Sequence, residues 1–237
     1  MSRSARQRIS AQATSPRLRV SELFLSLQGE GPFTGMRALF IRLAGCNLRC
    51  PFCDTKYSLD PRAGRPVELE EVLARVEELK PSLVVATGGE PLLQRRALNA
   101  LAERLHERGY TLQLETNGTL PAPEAGEPLY RAYHVVSPKD VPVAVPGART
   151  HPSWVSYARE TGRAWFKFLV SGEEHVKAVE RYVEENGIPR ERVYLMPLTS
   201  EDMGPEELLE AHRRVAGLAL GSGFNFSPRL HLLLGLR

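Results

Sequence analysis

The sequence predicts an α/β fold of about six parallel βα units, fewer than the eight of a closed barrel. Three observations predict it. Short apolar runs of strand length alternate with longer runs at helical spacing. Polar clusters follow the strands, as they do along a sheet edge that carries chemistry. The 237 residues, 42% hydrophobic and 25% charged, show no internal repeat and no long linker, which fits one domain.

The elements follow in order. VSELFLSLQGEG (20–31) alternates and ends in glycines, a strand entering a loop. ALFIRLAG (38–45) reads as a buried strand that feeds the cysteines. VELEEVLARVEELK (67–80) carries Val67, Leu69, Val72, Leu73, Val76 and Leu79 at helical spacing, an amphipathic helix. SLVVATGGEP (82–91) is a strand, a glycine pair and a proline suited to a first helical turn. LLQRRALNALAERLHERG (92–109) is that helix, closed by Gly109. YTLQLETNG, YHVVSPK and AWFKFLVSG are strands, EEHVKAVERYVEENG a helix, and RVYLMPL a strand. PEELLEAHRRVAGLALGSG is a helix and SPRLHLLLGLR (227–237) a last strand. Residues 120–128 and PVAVPGARTHP (142–152) read as loops.

Residues 1–19 are polar and rich in Arg, Ser and Gln, a frayed tail before a single domain over 20–237. No apolar run approaches bilayer length. The net charge of +3 is diffuse, with arginines scattered along helical faces, and argues for no nucleic-acid partner.

All three cysteines, Cys46, Cys50 and Cys53, fall within GCNLRCPFCDT (45–55). An odd count and no fourth thiol exclude a disulfide framework, and a reducing cytoplasm fits. The spacing would place them on one helix face, but Pro51 and Gly45 argue against a regular helix there. A zinc knuckle needs a fourth ligand, and none of the histidines has zinc-finger spacing. In a cubane iron–sulfur cluster one thiolate usually holds each iron, so three thiolates leave one iron open for a ligand. Core cysteines and zinc stay as alternatives at this point.

Cys46-x-x-x-Cys50-x-Phe52-Cys53 resembles the signature of radical S-adenosylmethionine (SAM) enzymes, and Thr87-Gly88-Gly89-Glu90-Pro91 resembles their GGEP motif. LQGEGPFTGMRALFIRLAGCNLRCPFCDT, TGGEP, LETNGT, VSPK, FKFLV and PRLHLLL are similar, in order, to the 7-carboxy-7-deazaguanine synthase family over roughly residues 22–234. The resemblance implies a partial (β/α) barrel of the radical SAM type, with a [4Fe–4S] cluster, SAM and Mg²⁺ as cofactors. It implies ring contraction of 6-carboxy-5,6,7,8-tetrahydropterin to 7-carboxy-7-deazaguanine and ammonia, on the route to queuosine-type deazapurines. It also implies a homodimer and a flavodoxin- or ferredoxin-like reductant.

Residue roles follow from the same resemblance. Cys46, Cys50 and Cys53 would hold the cluster and Thr55 the Mg²⁺. SAM would meet Phe52, Cys53, Asp54, Gly88, Gly89, Glu90, Glu115, Asn117, Ser137, Pro138, Lys139 and the stretch Met196, Pro197, Leu198, Thr199. Gly88 and Gly89 would let backbone approach its methionine end, and Glu90 would accept from its ammonium, through its side chain or its backbone carbonyl. Leu27, Gln28, Gly29, Glu30, Arg42, Thr87 and His231 would meet the substrate, with Arg42 on its carboxylate. Lys167 in FKF is either functional or simply paired. Two other readings are a glycyl-radical-enzyme activase with the same cluster, and a non-enzymatic zinc- or cluster-binding module.

Overall fold

The computed structural model describes residues 16–200 and 202–236. Nine strands form one sheet: β1 (Arg17–Leu27), β2 (Arg37–Leu43), β3 (Arg65–Glu68), β4 (Leu83–Gly88), β5 (Leu112–Thr116), β6 (Tyr133–Val136), β7 (Ala164–Val170), β8 (Val193–Pro197) and β9 (Asn225–Phe226). Their order is β3-β1-β2-β4-β5-β6-β7-β8-β9. From β2 to β9 every neighbouring pair is parallel, whereas β1 runs antiparallel to both β2 and β3. Six crossovers therefore link seven parallel strands, which is the predicted partial barrel.

The helices are α1 (Leu69–Leu79), α2 (Arg95–Glu107), α3 (Ser153–Thr161), α4 (Glu173–Asn186), α5 (Pro205–Ser222) and α6 (Leu230–Leu233). Their apolar stripes are buried against one face of the sheet. Val72, Leu73 and Val76 of α1, Leu98, Leu101 and Leu105 of α2, and Val176, Val179 and Val183 of α4 join the strand residues in one core. Each such side chain removes enough apolar surface to contribute about 1.5–3 kcal/mol. Among the described residues no helix is long and apolar enough to cross a membrane.

The structure corrects four expectations. The first strand begins at Arg17, inside the segment expected to be frayed, and Leu18 is fully buried because it pairs with Val67. Residues 1–15 lie outside the described residues. Val67 belongs to β3 and not to the following helix, since the antiparallel pairing to β1 draws residues 65–68 into the sheet. SPRLHLLLGLR is no strand: β9 is only two residues long and precedes it, and Leu230–Leu233 is a helical turn. A short apolar run carries no periodicity that separates strand from helix, so its neighbours decide. Here Leu230 N–H donates to Gly29 O (3.0 Å) and Leu234 N–H to Leu230 O (3.0 Å), so the run coils under the β1 loop. Helix α3 lies where no helix was read. It is nine residues long, and it is anchored by Trp154, whose indole N–H donates to Leu120 O at 2.9 Å.

The segment after β1 sets up the site. Because Leu27 pairs with Arg37, the strand ends at the N-terminal edge of the parallel sheet. Residues 28–33 then cross the barrel interior. Gly31 N–H donates to Ser227 Oγ (2.8 Å), and Phe33 packs edge-on against Tyr133 and Trp165, with ring centroids 5.1 and 5.8 Å away. Aromatic rings therefore close the floor of the open barrel, which leaves its upper end hollow.

Candidate functional site

One cavity of about 260 Å³ occupies that hollow. A water takes roughly 30 Å³, so the space is sized for an organic ligand. Strand ends supply most of its wall: the cysteine loop after β2, Thr87–Gly89 after β4, Glu115–Asn117 after β5, Ser137 and Lys139 after β6, and Leu198–Thr199 after β8. Gln28, Gly29 and Glu30 enter from below, from the opposite edge of the sheet. All the expected site residues line this cavity except Glu90, Pro138 and Pro197.

The three thiols are half-buried, free of disulfides and open to the cavity. The loop is backed by a small apolar cluster, Leu48 with Val145 and Ala148, to which Cys46, Cys50 and Phe52 add. PVAVPGARTHP is therefore more than a connecting loop: it supports the thiols from outside. Burial pushes the Cys46 and Cys50 thiols above their ordinary value, a penalty that metal ligation reverses. Among the described residues no three His, Cys, Asp or Glu side chains gather closely enough to hold a single metal ion. A cluster presents separate iron corners, so its thiolates need not meet at a point, and the arrangement fits one.

The glycine pair also serves the packing of the turn. A Cβ on Gly88, which sits at φ +129°, would collide with the Leu43 carbonyl, and one on Gly89 with the carbonyl of Gly45. Their missing side chains let the turn dock on the root of the cysteine loop, where Gly89 N–H donates to Leu43 O (3.0 Å) and Glu90 N–H to Gly45 O (2.8 Å). Both still line the cavity.

For Glu90 the structure opposes the side-chain contact. Its side chain is fully buried and outside the cavity, accepting from Leu92 N–H (2.9 Å), Thr116 Oγ1–H (2.9 Å) and Asn117 N–H (2.8 Å). It caps the turn before α2 and ties it to the end of β5, so the carboxylate is committed to these donors. Pro138 and Pro197 are buried in the strand ends, where Pro197 pairs with Val170. Glu90→Gln should cost about 1–3 kcal/mol, because an amide N–H then faces the Asn117 N–H. Thermal melts should show that loss while the affinity for SAM stays within about twofold of wild type. A large loss of SAM affinity at unchanged stability would restore the original role.

Glu115 lines the cavity from its floor. Its carboxylate accepts from Gln113 Nε2 (2.6 Å), Gln28 Nε2 (3.2 Å) and Lys167 Nζ (2.8 Å), on the floor beside Glu30. Lys167 also pairs with Glu30 at 2.5 Å. It is therefore both paired and cavity-lining. Burial opposes ionisation of Glu30, but the charges of Lys167 and Arg229 outweigh it and hold the carboxyl well below the usual range. Glu115 has one cation and a neighbouring carboxylate, and burial pushes it upward. Burial likewise disfavours the charged form of Lys167, yet the two carboxylates hold its ammonium above the ordinary value.

The remaining wall is polar. Asn117 donates to Asn47 Oδ1 (3.0 Å) and approaches Cys46 Sγ (4.0 Å). Lys139 donates to Ser137 Oγ (2.6 Å) and, pushed below its ordinary value by burial, stands near Cys50. Thr55 precedes a 3₁₀ turn but makes no capping bond with its side chain, and its Oγ1 lies 3.7 Å from Cys53 Sγ. Arg42 is explained by Glu22, which it meets at 2.7 Å and which Tyr57 also donates to. His231 reaches the cavity from α6, beside Gly29. Sequence reasoning missed Arg229, which bonds Glu30, Thr199 and Asp54; its only signal was a lone arginine before an apolar run.

Residues 40–139 match the family model for the radical SAM superfamily. The chain is 62% identical, over the full length of both, to a 7-carboxy-7-deazaguanine synthase from Hyperthermus butylicus. It is 43% identical to the synthase of that name from Pyrobaculum aerophilum, over 93% of this chain and 96% of the relative. The fold superposes on a crystal structure of QueE from Escherichia coli with a TM-score of 0.67 and 25% identity, covering 91% of this chain and 95% of that one.

Proposed function

Since the chain belongs to the 7-carboxy-7-deazaguanine synthase family of radical SAM enzymes, we propose that its cavity contracts 6-carboxy-5,6,7,8-tetrahydropterin to 7-carboxy-7-deazaguanine, releasing ammonia. The supporting observation is the meeting of the three thiols, the Thr87–Gly89 turn and the Gln28–Glu30 loop in one cavity. When bound, the [4Fe–4S] cluster and SAM supply one-electron chemistry that begins by taking a hydrogen atom from the substrate.

The chain's own groups position the reactants. Cys46, Cys50 and Cys53 hold the cluster. Asn117, Ser137 and Lys139 would contact SAM, and Leu198 would border its adenosine. Glu30, kept anionic between Lys167 and Arg229, accepts from the amino and ring N–H groups of the pterin. Gln28, whose Nε2 donates to Gln113 and Glu115, leaves its Oε1 to accept from the same ring. Arg42, whose Nε is held by Glu22, would offer its other donors to the substrate carboxylate, His231 would meet the substrate, and the Thr55 hydroxyl would be a ligand for Mg²⁺, a hard ion that takes oxygen ligands. Fixed contacts of this kind put one hydrogen within reach and keep others out. We take the working form to be a cytoplasmic homodimer fed by a flavodoxin- or ferredoxin-like donor, on family resemblance.

The test is anaerobic turnover of the reconstituted protein with carboxytetrahydropterin, SAM, Mg²⁺ and a reductant. A deazapurine chromophore and ammonia should accumulate together. SAM cleavage without any deazapurine would sink the synthase reading.

A further inference from the structure

Arg229 is the point where three walls of the cavity meet. Its side chain is 9% exposed. Nε donates to Glu30 Oε1 (3.2 Å), Nη1 to Thr199 Oγ1 (2.5 Å) and Nη2 to Asp54 Oδ2. Glu30 belongs to the floor loop, Thr199 follows β8, and Asp54 adjoins Cys53. The backbone is pinned too: Arg229 N–H donates to His212 Nε2 of α5 (3.0 Å), and Leu230 N–H to Gly29 O (3.0 Å).

We propose that Arg229 is a positioning residue that ties the floor loop to the cysteine loop across the cavity and so fixes the separation of substrate and cluster loop. The substrate half of this claim rests on the function proposed above. A guanidinium is planar, with donors in fixed directions, so three simultaneous bonds set the angle between three segments. A lysine ammonium is a point charge on a flexible stem and cannot span them. The two acidic partners also differ in their dependence on Arg229. Glu30 keeps Lys167 when Arg229 is removed, but among the described residues Asp54 pairs with Arg229 alone. Loss of Arg229 therefore releases Asp54, the tether of the cysteine loop to the floor, while leaving the floor carboxylate paired.

The test uses Arg229→Gln, Arg229→Lys and Asp54→Asn in the full chain, with two readouts. Hydrogen–deuterium exchange over residues 50–58, on protein without added ligand, should speed up about tenfold in all three variants. In turnover, the ratio of methionine released to deazapurine formed should rise about fivefold or more, since a misplaced substrate lets SAM be spent without product. A merely structural role would lower the amount of working enzyme and leave that ratio unchanged. Wild-type values of either readout in Arg229→Gln, or rescue of both by Arg229→Lys, overturn the proposal. Should Arg229→Gln not fold, Asp54→Asn, half-exposed at its site, decides by the same two readouts. If the wild type itself makes no deazapurine, the functional reading fails, while the exchange data still judge the tie.

Discussion

Cys50→Ala, reconstituted anaerobically, should hold less than about one iron per chain, against about four in the wild type, and lose its brown colour. Turnover should fall at least about 10³-fold, because every later step depends on chemistry supplied at that loop. The fold should survive. Cys50 is half-buried on a loop, and the Leu48–Val145–Ala148 cluster that supports it keeps its own contacts. The melting temperature of the metal-free variant should therefore stay close to that of the metal-free wild type. Iron content, visible absorption and melts, measured together, separate this outcome from simple unfolding. A variant that retains four irons and full turnover would remove Cys50 from the ligand set.

Lys167→Met should be the most damaging substitution on the floor. It removes the cation shared by Glu30 and Glu115; Glu30 keeps Arg229, and Glu115 is left buried beside it with no cation. Breaking a buried pair in this way costs about 3–5 kcal/mol, and turnover should drop about 10²-fold as the floor loop shifts. The pH dependence carries a sign. In the wild type the folded Glu30 carboxyl titrates below its unfolded value of 4.5, so its stabilisation is present above 4.5 and lost as pH falls through the lower folded value. In the variant Glu115, already pushed upward by burial, loses the Lys167 charge that opposed that rise, so the folded form takes up a proton further above 4.5 and gains stability as pH falls. The stability gap between variant and wild type should thus narrow on acidification from pH 7 toward 5 in denaturant titrations. A gap that stays constant or widens would mean that Lys167 does not neutralise this pair.

The cysteine loop, the Thr87–Glu90 turn and most of the βα alternation were legible because each is a local pattern. Three thiols within eight positions, a glycine pair before Pro91, and apolar residues at helical spacing declare themselves without knowledge of their neighbours. The floor was not legible. Lys167 lies 137 positions from Glu30, and Arg229 lies 199 positions from it. No local pattern links them; they meet only because β1 runs antiparallel and delivers residues 28–30 from the opposite edge of the sheet. Glu90 illustrates the same limit. Its motif reads as a ligand site, yet the close docking of Gly88 and Gly89 on the cysteine loop turns its carboxylate inward, to backbone donors. The C-terminal leucines could have formed a strand or a helix, and their contact with Gly29 settled the choice. Residue types and short spacings thus specify which chemistry the chain is equipped for, since ligation and turn geometry are local. Which carboxylates face the cavity, and which cations balance them, is decided only when the sheet closes, because burial and charge pairing depend on groups brought together from distant segments.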